Sequence, residues 1–255
     1  MGFQFAYYTD KGIRKATNED SLLIRTAMTN RGEVLLAAVC DGMGGLNRGE
    51  LASSTLVQAF SDWFDDRLPS LIENGFDPMV LKSGIEFEIR RQSKNMEDYA
   101  RRNGIRMGTT ITMMLVFEGR CMTANVGDSR IYEVGPELRQ ITKDQSLVQR
   151  EVDTGILTVQ QAATDSRRNI LLQCVGETSN LVPAIEEKRI TTDAVYLLCS
   201  DGFHHELAPE ELRSAVWSVA GKDDKTMTKA LEKLAKKAME REETDNITVV
   251  AVRVS

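Results

Sequence analysis

VLLAAVCDGMGG, residues 34–45, and VYLLCSDGF, residues 195–203, decide the reading of this chain. Each opens on a short, unbroken apolar run that ends at Asp-Gly, which reads as a buried strand running into a turn. A third run, CMTANV at 121–126, meets Gly127-Asp128-Ser129-Arg130, and Asp245-Asn246 opens the last one, ITVVAV. Asp41, Asp128, Asp201 and Asp245 therefore each stand at the mouth of a strand. Taken singly, each is a turn residue. Together they form a set of hard oxygen donors at the edge of a β-core, which suits a divalent cation such as magnesium or manganese.

Working outward, strands are expected at residues 3–8, 21–26, 34–40, 110–117, 121–126, 130–134, 195–200 and 247–254. They are short and bounded by turns, and Phe117-Glu118-Gly119-Arg120 reads as a hairpin, so antiparallel pairing is expected. Helices are expected from Glu50, with Leu51, Leu56, Ala59, Phe60 and Phe64 on one face, and from Asp77-Pro78, an N-cap followed by proline, towards Arg102. Two more start at Pro209 and around Met227, the latter presenting Leu231, Leu234, Ala235 and Ala238 to the core and lysines to water. Helices fall in pairs between blocks of strands rather than after every strand. That excludes a doubly wound parallel sheet and favours strands on strands with helices outside. No linker or repeat interrupts the chain, and residues 1–255 read as one domain. Residues 142–176 are polar and irregular, with weak helical pieces at 146–153 and 159–164, and read as a functional loop beside the site.

The 255 residues suffice for a substantial core. A net charge of −6 without any basic block excludes a nucleic-acid surface, which needs clustered Lys and Arg. Cys40, Cys121, Cys174 and Cys199 lie in apolar stretches without CxxC spacing, as buried small hydrophobes do. MGFQFAYYTD has neither the basic nor the apolar region of a signal peptide. Ala6 stands where a myristoylation signal wants Ser or Thr, and no run is long enough to span a membrane. A reduced, cytoplasmic setting is expected.

The only histidines, His204 and His205, are adjacent. That removes zinc-hydrolase and Ser-His-Asp schemes, which need a separate histidine. The pair reads as loop residues near the site, with proton donation as the alternative. Carboxylates are left to carry the chemistry: the four strand-end aspartates and Asn18-Glu19-Asp20. Gly42 and Gly202 would let backbone approach an ion, and Gly44-Gly45 reads as a tight turn before the Glu50 helix. No Walker-type loop is present. Two ions ~3.5–4 Å apart can acidify a shared water and clamp a phosphoryl group.

TDKGIRKATNEDS (9–21), VCDGMGG (39–45), GTTIT (108–112), NVGDSRIY (125–132), ITKDQSLVQ (141–149), RNILLQCVG (168–176), LLCSDGF (197–203) and DNITVV (245–250) follow one another in order. In this the sequence resembles the metal-dependent protein phosphatases of type 2C, the PPM family, in their bacterial serine/threonine form. The resemblance spans nearly the whole chain. It implies an α+β fold, a four-layer αββα sandwich of two antiparallel sheets flanked by helix pairs, and hydrolysis of phosphoserine and phosphothreonine by a metal-activated water. It implies two manganese or magnesium ions. Asp41 would bridge them with the Gly42 carbonyl on one, and Asp201 and Asp245 would complete the other. Glu19 and Asp20 would hold metal-bound waters. Asp128 would sit behind the site and share a weaker third ion with Asp201. Residues 142–176 would contain a mobile flap.

The chain departs from the family pattern at several positions. Lys15, with Arg14 beside it, stands where the family carries a phosphate-gripping Arg, so a point charge replaces a planar fork. Leu172-Gln173 replaces Thr-Arg, Gln145 replaces the His of Asp-His-Ser, and Met43 stands where eukaryotic members carry a His. No direct metal ligand is lost. An active phosphatase of phosphorylated proteins, paired with a serine/threonine kinase, is therefore the leading expectation. The alternatives are a PPM-fold phosphoprotein-binding regulator of little activity and a two-metal nuclease, the latter opposed by the acidic charge. A monomer is the default expectation.

Overall fold

In the computed structural model, which describes residues 2–43 and 48–255, ten strands divide into two sheets. The first runs β1 (Phe3–Asp10), β10 (Ile247–Val254), β9 (Val195–Cys199), β6 (Arg130–Val134), β7 (Leu138–Gln140). The second runs β2 (Ser21–Thr29), β3 (Gly32–Cys40), β4 (Ile111–Phe117), β5 (Arg120–Val126), β8 (Ala184–Arg189). Every neighbouring pair is antiparallel. Glu118 and Gly119 both take positive φ, 49° and 72°, as a two-residue hairpin between β4 and β5 requires.

An antiparallel strand with one wet face alternates apolar and polar residues. VLLAAVC does not alternate because both its faces are covered. Leu36, Ala38 and Cys40 pack under helices, while Leu35, Ala37 and Val39 pack against the other sheet with Leu198, Val250 and Val252. β9 repeats this, with Leu197 and Cys199 on the helix side and Tyr196 and Leu198 between the sheets. The second sheet is capped by α1 (Gly49–Asp66), α2 (Leu68–Ile72) and α3 (Pro78–Asn103) through Leu56, Phe60, Trp63, Leu81, Ile85 and Ile89. The first is capped by α6 (Asp201–His204), α7 (Pro209–Trp217) and α8 (Asp224–Glu240) through Phe203, Leu212, Val216, Leu231 and Leu234. The order is helix, sheet, sheet, helix, as the resemblance implied. At the start of α3, the Asp77 carboxylate accepts the N–H groups of Met79 and Val80, with Pro78 in the first turn.

Four elements were not anticipated. β8 reads AIEEKR and is mostly exposed, so it carries no apolar period, and its charges blunt a sheet edge. β7 has three residues, α2 is short, and α6 is a single turn. Within 142–176 two short helices form, α4 (Leu147–Asp153) and α5 (Val159–Thr164), where weak helical pieces were read. The expected turn at Gly44-Gly45 lies outside the described residues.

Antiparallel order brings alternate strand ends to a common edge. β2, β4, β6 and β10 begin there, and β3, β5 and β9 end there. Asp20, Asp41, Asp128, Asp201 and Asp245 flank those ends and so meet at one end of the sandwich.

Candidate metal centre

The backbone around Asp41 is fixed from three sides. Its N–H donates to Thr110 Oγ1 at 2.9 Å, and its carbonyl accepts the Thr110 N–H and the Thr109 hydroxyl, each at 2.9 Å. Thr110 Oγ1 lies 2.8 Å from Ser129 Oγ, which ties the Asp41 turn to the Gly127-Asp128-Ser129 turn. Gly42 N–H donates to the Glu19 carbonyl at 3.2 Å. A Cβ on Gly42 would press on the Glu19 and Gly49 carbonyl oxygens, and one on Gly202 on the Asn246 carbonyl. Both glycines are thus required by close backbone packing within the protein, a reason other than the ion access read from the sequence.

On the opposite sheet, Ser200 Oγ donates to Asp20 Oδ2 at 2.9 Å and accepts the Thr248 N–H at 3.0 Å. Asn246 holds the loop before β2. Its amide nitrogen donates to the carbonyls of Lys11 (2.9 Å) and Thr17 (3.0 Å), and its amide oxygen accepts the Glu19 N–H at 2.9 Å. That clamp brings Lys15 to Asp245, Nζ to Oδ1 at 2.7 Å, while Arg14 stays in solvent.

Electrostatically the cluster is short of positive charge. Burial pushes the Asp20 carboxyl up to about 7, with Asp201 and Asp245 adding to the rise and Ser200 opposing it. Burial, then Asp20, Asp201, Asp128 and Asp245, hold the Asp41 carboxyl well above its ordinary range. Asp128 is raised by burial, Asp201 and Asp144, against Arg130. Burial alone would lower the Lys15 ammonium, but its bond to Asp245 and the charges of Asp245, Glu19 and Asp41 raise it overall.

This environment fits a hard divalent cation. Asp20 Oδ1 and Asp201 Oδ1 are buried without a hydrogen-bond partner, and the donors available are carboxylate and carbonyl oxygens. Among the described residues no group of three or more His, Cys, Asp or Glu side chains is arranged to hold a metal ion by itself. Magnesium-like ions need none, since they keep several waters and are held by one or two carboxylates each.

The family model described as protein phosphatase 2C matches residues 11–237. The chain belongs to the protein phosphatase 2C family. It is 31% identical to the serine/threonine phosphatase stp of Listeria welshimeri over 96% of this chain and 94% of that protein. The crystal structure of the serine/threonine phosphatase Stp1 from Staphylococcus aureus superposes with a TM-score of 0.87 at 28% identity, covering 100% of this chain and 96% of that one. The catalytic domain of the serine/threonine phosphatase PstP, solved in complex with two manganese ions, superposes with a TM-score of 0.75 at 28% identity, covering 98% and 97%.

The departures of this 2C-family chain have structural work. Gln145 Oε1 accepts the Gly127 N–H at 3.1 Å and Gln145 N–H donates to the Gly127 carbonyl at 2.8 Å, so an amide steadies the turn that presents Asp128. Gln173 Oε1 accepts the Val182 N–H at 3.0 Å. Asp144 takes Arg130 through two nitrogens, at 2.9 and 2.7 Å, and Arg130 Nη1 donates to Tyr132 at 2.8 Å. His204 is buried edge-on to Tyr132. Burial, Arg130 and His205 press its pKa well below the ordinary range. His205 Nδ1 lies 3.8 Å from Asp201 Oδ2.

Proposed function

We propose that this chain is a metal-dependent protein serine/threonine phosphatase, a phosphoric monoester hydrolase acting on phosphoserine and phosphothreonine in proteins. The carrying observation is the convergence of five aspartates, from both sheets, at one edge of a 2C-family sandwich, with buried carboxylate oxygens lacking any partner. Asp41, the Gly42 carbonyl, Asp201 and Asp245 would hold two manganese or magnesium ions. Glu19 and Asp20 would bind waters around them, and Asp128 with Asp201 would serve a weaker third. What such ions contribute when bound is a water acidified towards neutrality and neutralised phosphoryl charge.

The chain's own residues supply the rest. Thr110 and Ser129 hold Asp41 and Asp128 in register, and Ser200 fixes which Asp20 oxygen remains free. Lys15 presents an ammonium to the substrate phosphate. Residues 142–176, with α4 and α5, contain the flap beside the site, and residues 1–255 act as one domain. A serine/threonine kinase acting on the same proteins is the implied counterpart. Four free, buried thiols support a reducing, cytoplasmic setting.

The test is hydrolysis of p-nitrophenyl phosphate and of a phosphothreonine peptide, with Mn²⁺ and after exhaustive chelation. Turnover with Mn²⁺, lost on chelation, is expected. Undiminished turnover of the metal-stripped protein would refute the proposal.

A further inference from the structure

Asp245 already has a cation. Lys15 Nζ sits 2.7 Å from its Oδ1, and the Asn246 N–H donates to the same oxygen at 2.8 Å. The pair is built in rather than incidental. Lys15 lies between Lys11 and Thr17, whose carbonyls both bind the Asn246 amide. The Gly12 N–H is fixed to Asp10 Oδ1 at 2.8 Å at the other end of the turn. The residue adjacent to Asp245 therefore fastens the loop that delivers the ammonium to Asp245. Both side chains are only about a third exposed, 32% and 31%, so solvent screens the pair less than it would on an open surface. A divalent cation on the Asp245 carboxylate meets a positive charge already in place.

We propose that Lys15 is a displaceable counter-ion of Asp245. It neutralises Asp245 in the metal-free protein, gives way to an incoming divalent cation, and is released, on its clamped loop, to face the substrate phosphate. The last step rests on the phosphatase reading above, while the exchange itself does not. The exchange makes loading of the metal and arming of the phosphate contact one event, because the ammonium cannot serve both partners at once.

The test is titration calorimetry of Mn²⁺ into metal-free protein without phosphate, on wild type, Lys15→Met, Lys15→Gln and Lys15→Arg. Thermal melts of the metal-free forms are read alongside. Removing the charge with Met or Gln tightens Mn²⁺ binding about three- to tenfold, the range between an exposed ion pair and a charge-assisted bond. It also lowers the metal-free melting temperature. Lys15→Arg keeps the charge and binds no tighter than wild type. In an Asp245→Asn background, Lys15→Met no longer shifts the metal-free melt, because the partner is gone. Equal Mn²⁺ affinity in wild type, Lys15→Met and Lys15→Gln overturns the exchange alone. No Mn²⁺ binding by wild type overturns the metal centre and the exchange with it.

Discussion

Asn246 Oδ1 accepts the backbone N–H of Glu19 at 2.9 Å, so the residue that opens the last strand of one sheet holds the entry to the first strand of the other. With the bonds to Lys11 and Thr17, one side chain, 2% exposed, satisfies three backbone groups of the loop that carries Lys15 and Glu19. Asn246→Ala leaves those groups unpaired. The expected loss is about 2–4 kcal/mol, at roughly 1 kcal/mol per net hydrogen bond and more where a buried group stays unsatisfied. Urea denaturation of the metal-free protein measures it, and a loss under about 1 kcal/mol would show that the loop does not depend on this clamp.

Asp41 is ringed by Asp20, Asp201, Asp128 and Asp245. Like charges crowded in a buried site cost stability unless a cation sits among them. Asp41→Asn is therefore expected to raise the metal-free melting temperature while removing most of the Mn²⁺-induced stabilisation and, by about 10²-fold or more, the phosphatase activity. Asp201→Asn and Asp245→Asn should lose activity as well, with Asp41 the most severe if it bridges both ions. Melts with chelator and with Mn²⁺, beside circular dichroism, separate these effects. Near wild-type turnover of Asp41→Asn at saturating Mn²⁺ would contradict its assignment.

Much of this was legible in the sequence, and the boundary is physical. β3 and β9 announce themselves because both faces are covered, so nearly every side chain is apolar. The start of α3 is legible because Asp77-Pro78 caps it locally. β8 is silent because an edge strand of charges has no period to detect. The aspartates could be read because each stands beside its own strand. Their supports could not. Asn246 with Glu19, Ser200 with Asp20 and Thr110 with Ser129 join residues distant in sequence, and neither partner has a local signature. The pairing of Lys15 with Asp245 is of the same kind, since it exists only after the first and last strands pair.

The outer layer should carry its own pH dependence. Glu211 on α7 is held well below the usual carboxylate range by Arg241, just past the end of α8, by Lys237 on α8 and by the Ala208 N–H. A depressed folded-state pKa contributes stability above the unfolded value, ~4.3, and loses it as pH falls through the folded value. Glu211→Gln should thus melt below wild type at neutral pH and approach it as the pH drops from about 5 towards 2. Melting curves that run parallel across that window would show that the pair does not link the two helices.

The four cysteines are free and buried. Ellman's reagent is expected to label the native protein only through opening, at a rate that rises with urea, and to leave turnover unchanged before labelling begins. Fast stoichiometric inactivation under native conditions would point to a thiol in the chemistry.

Lys15 is the residue with which to test substrate grip. Residues 12–14 form a turn, and Lys15 follows directly after it. In the structure Lys15 turns to the acidic edge and Arg14 to solvent. If the ammonium contacts the phosphate, Lys15→Ala should mainly raise KM on a phosphothreonine peptide, because the contact exists in the ground state as well. The loss should be about 1.5–3 kcal/mol, as for a charge-assisted hydrogen bond. Lys15→Arg should hold or improve kcat/KM by offering two parallel donors where Lys offers one. The assay must be run at saturating Mn²⁺, because Lys15 also competes for Asp245 and a metal effect would otherwise mask the phosphate effect. Unchanged kinetics in Lys15→Ala together with a large defect in Arg14→Ala would move the phosphate contact one residue back, to a side chain that must then swing in from solvent.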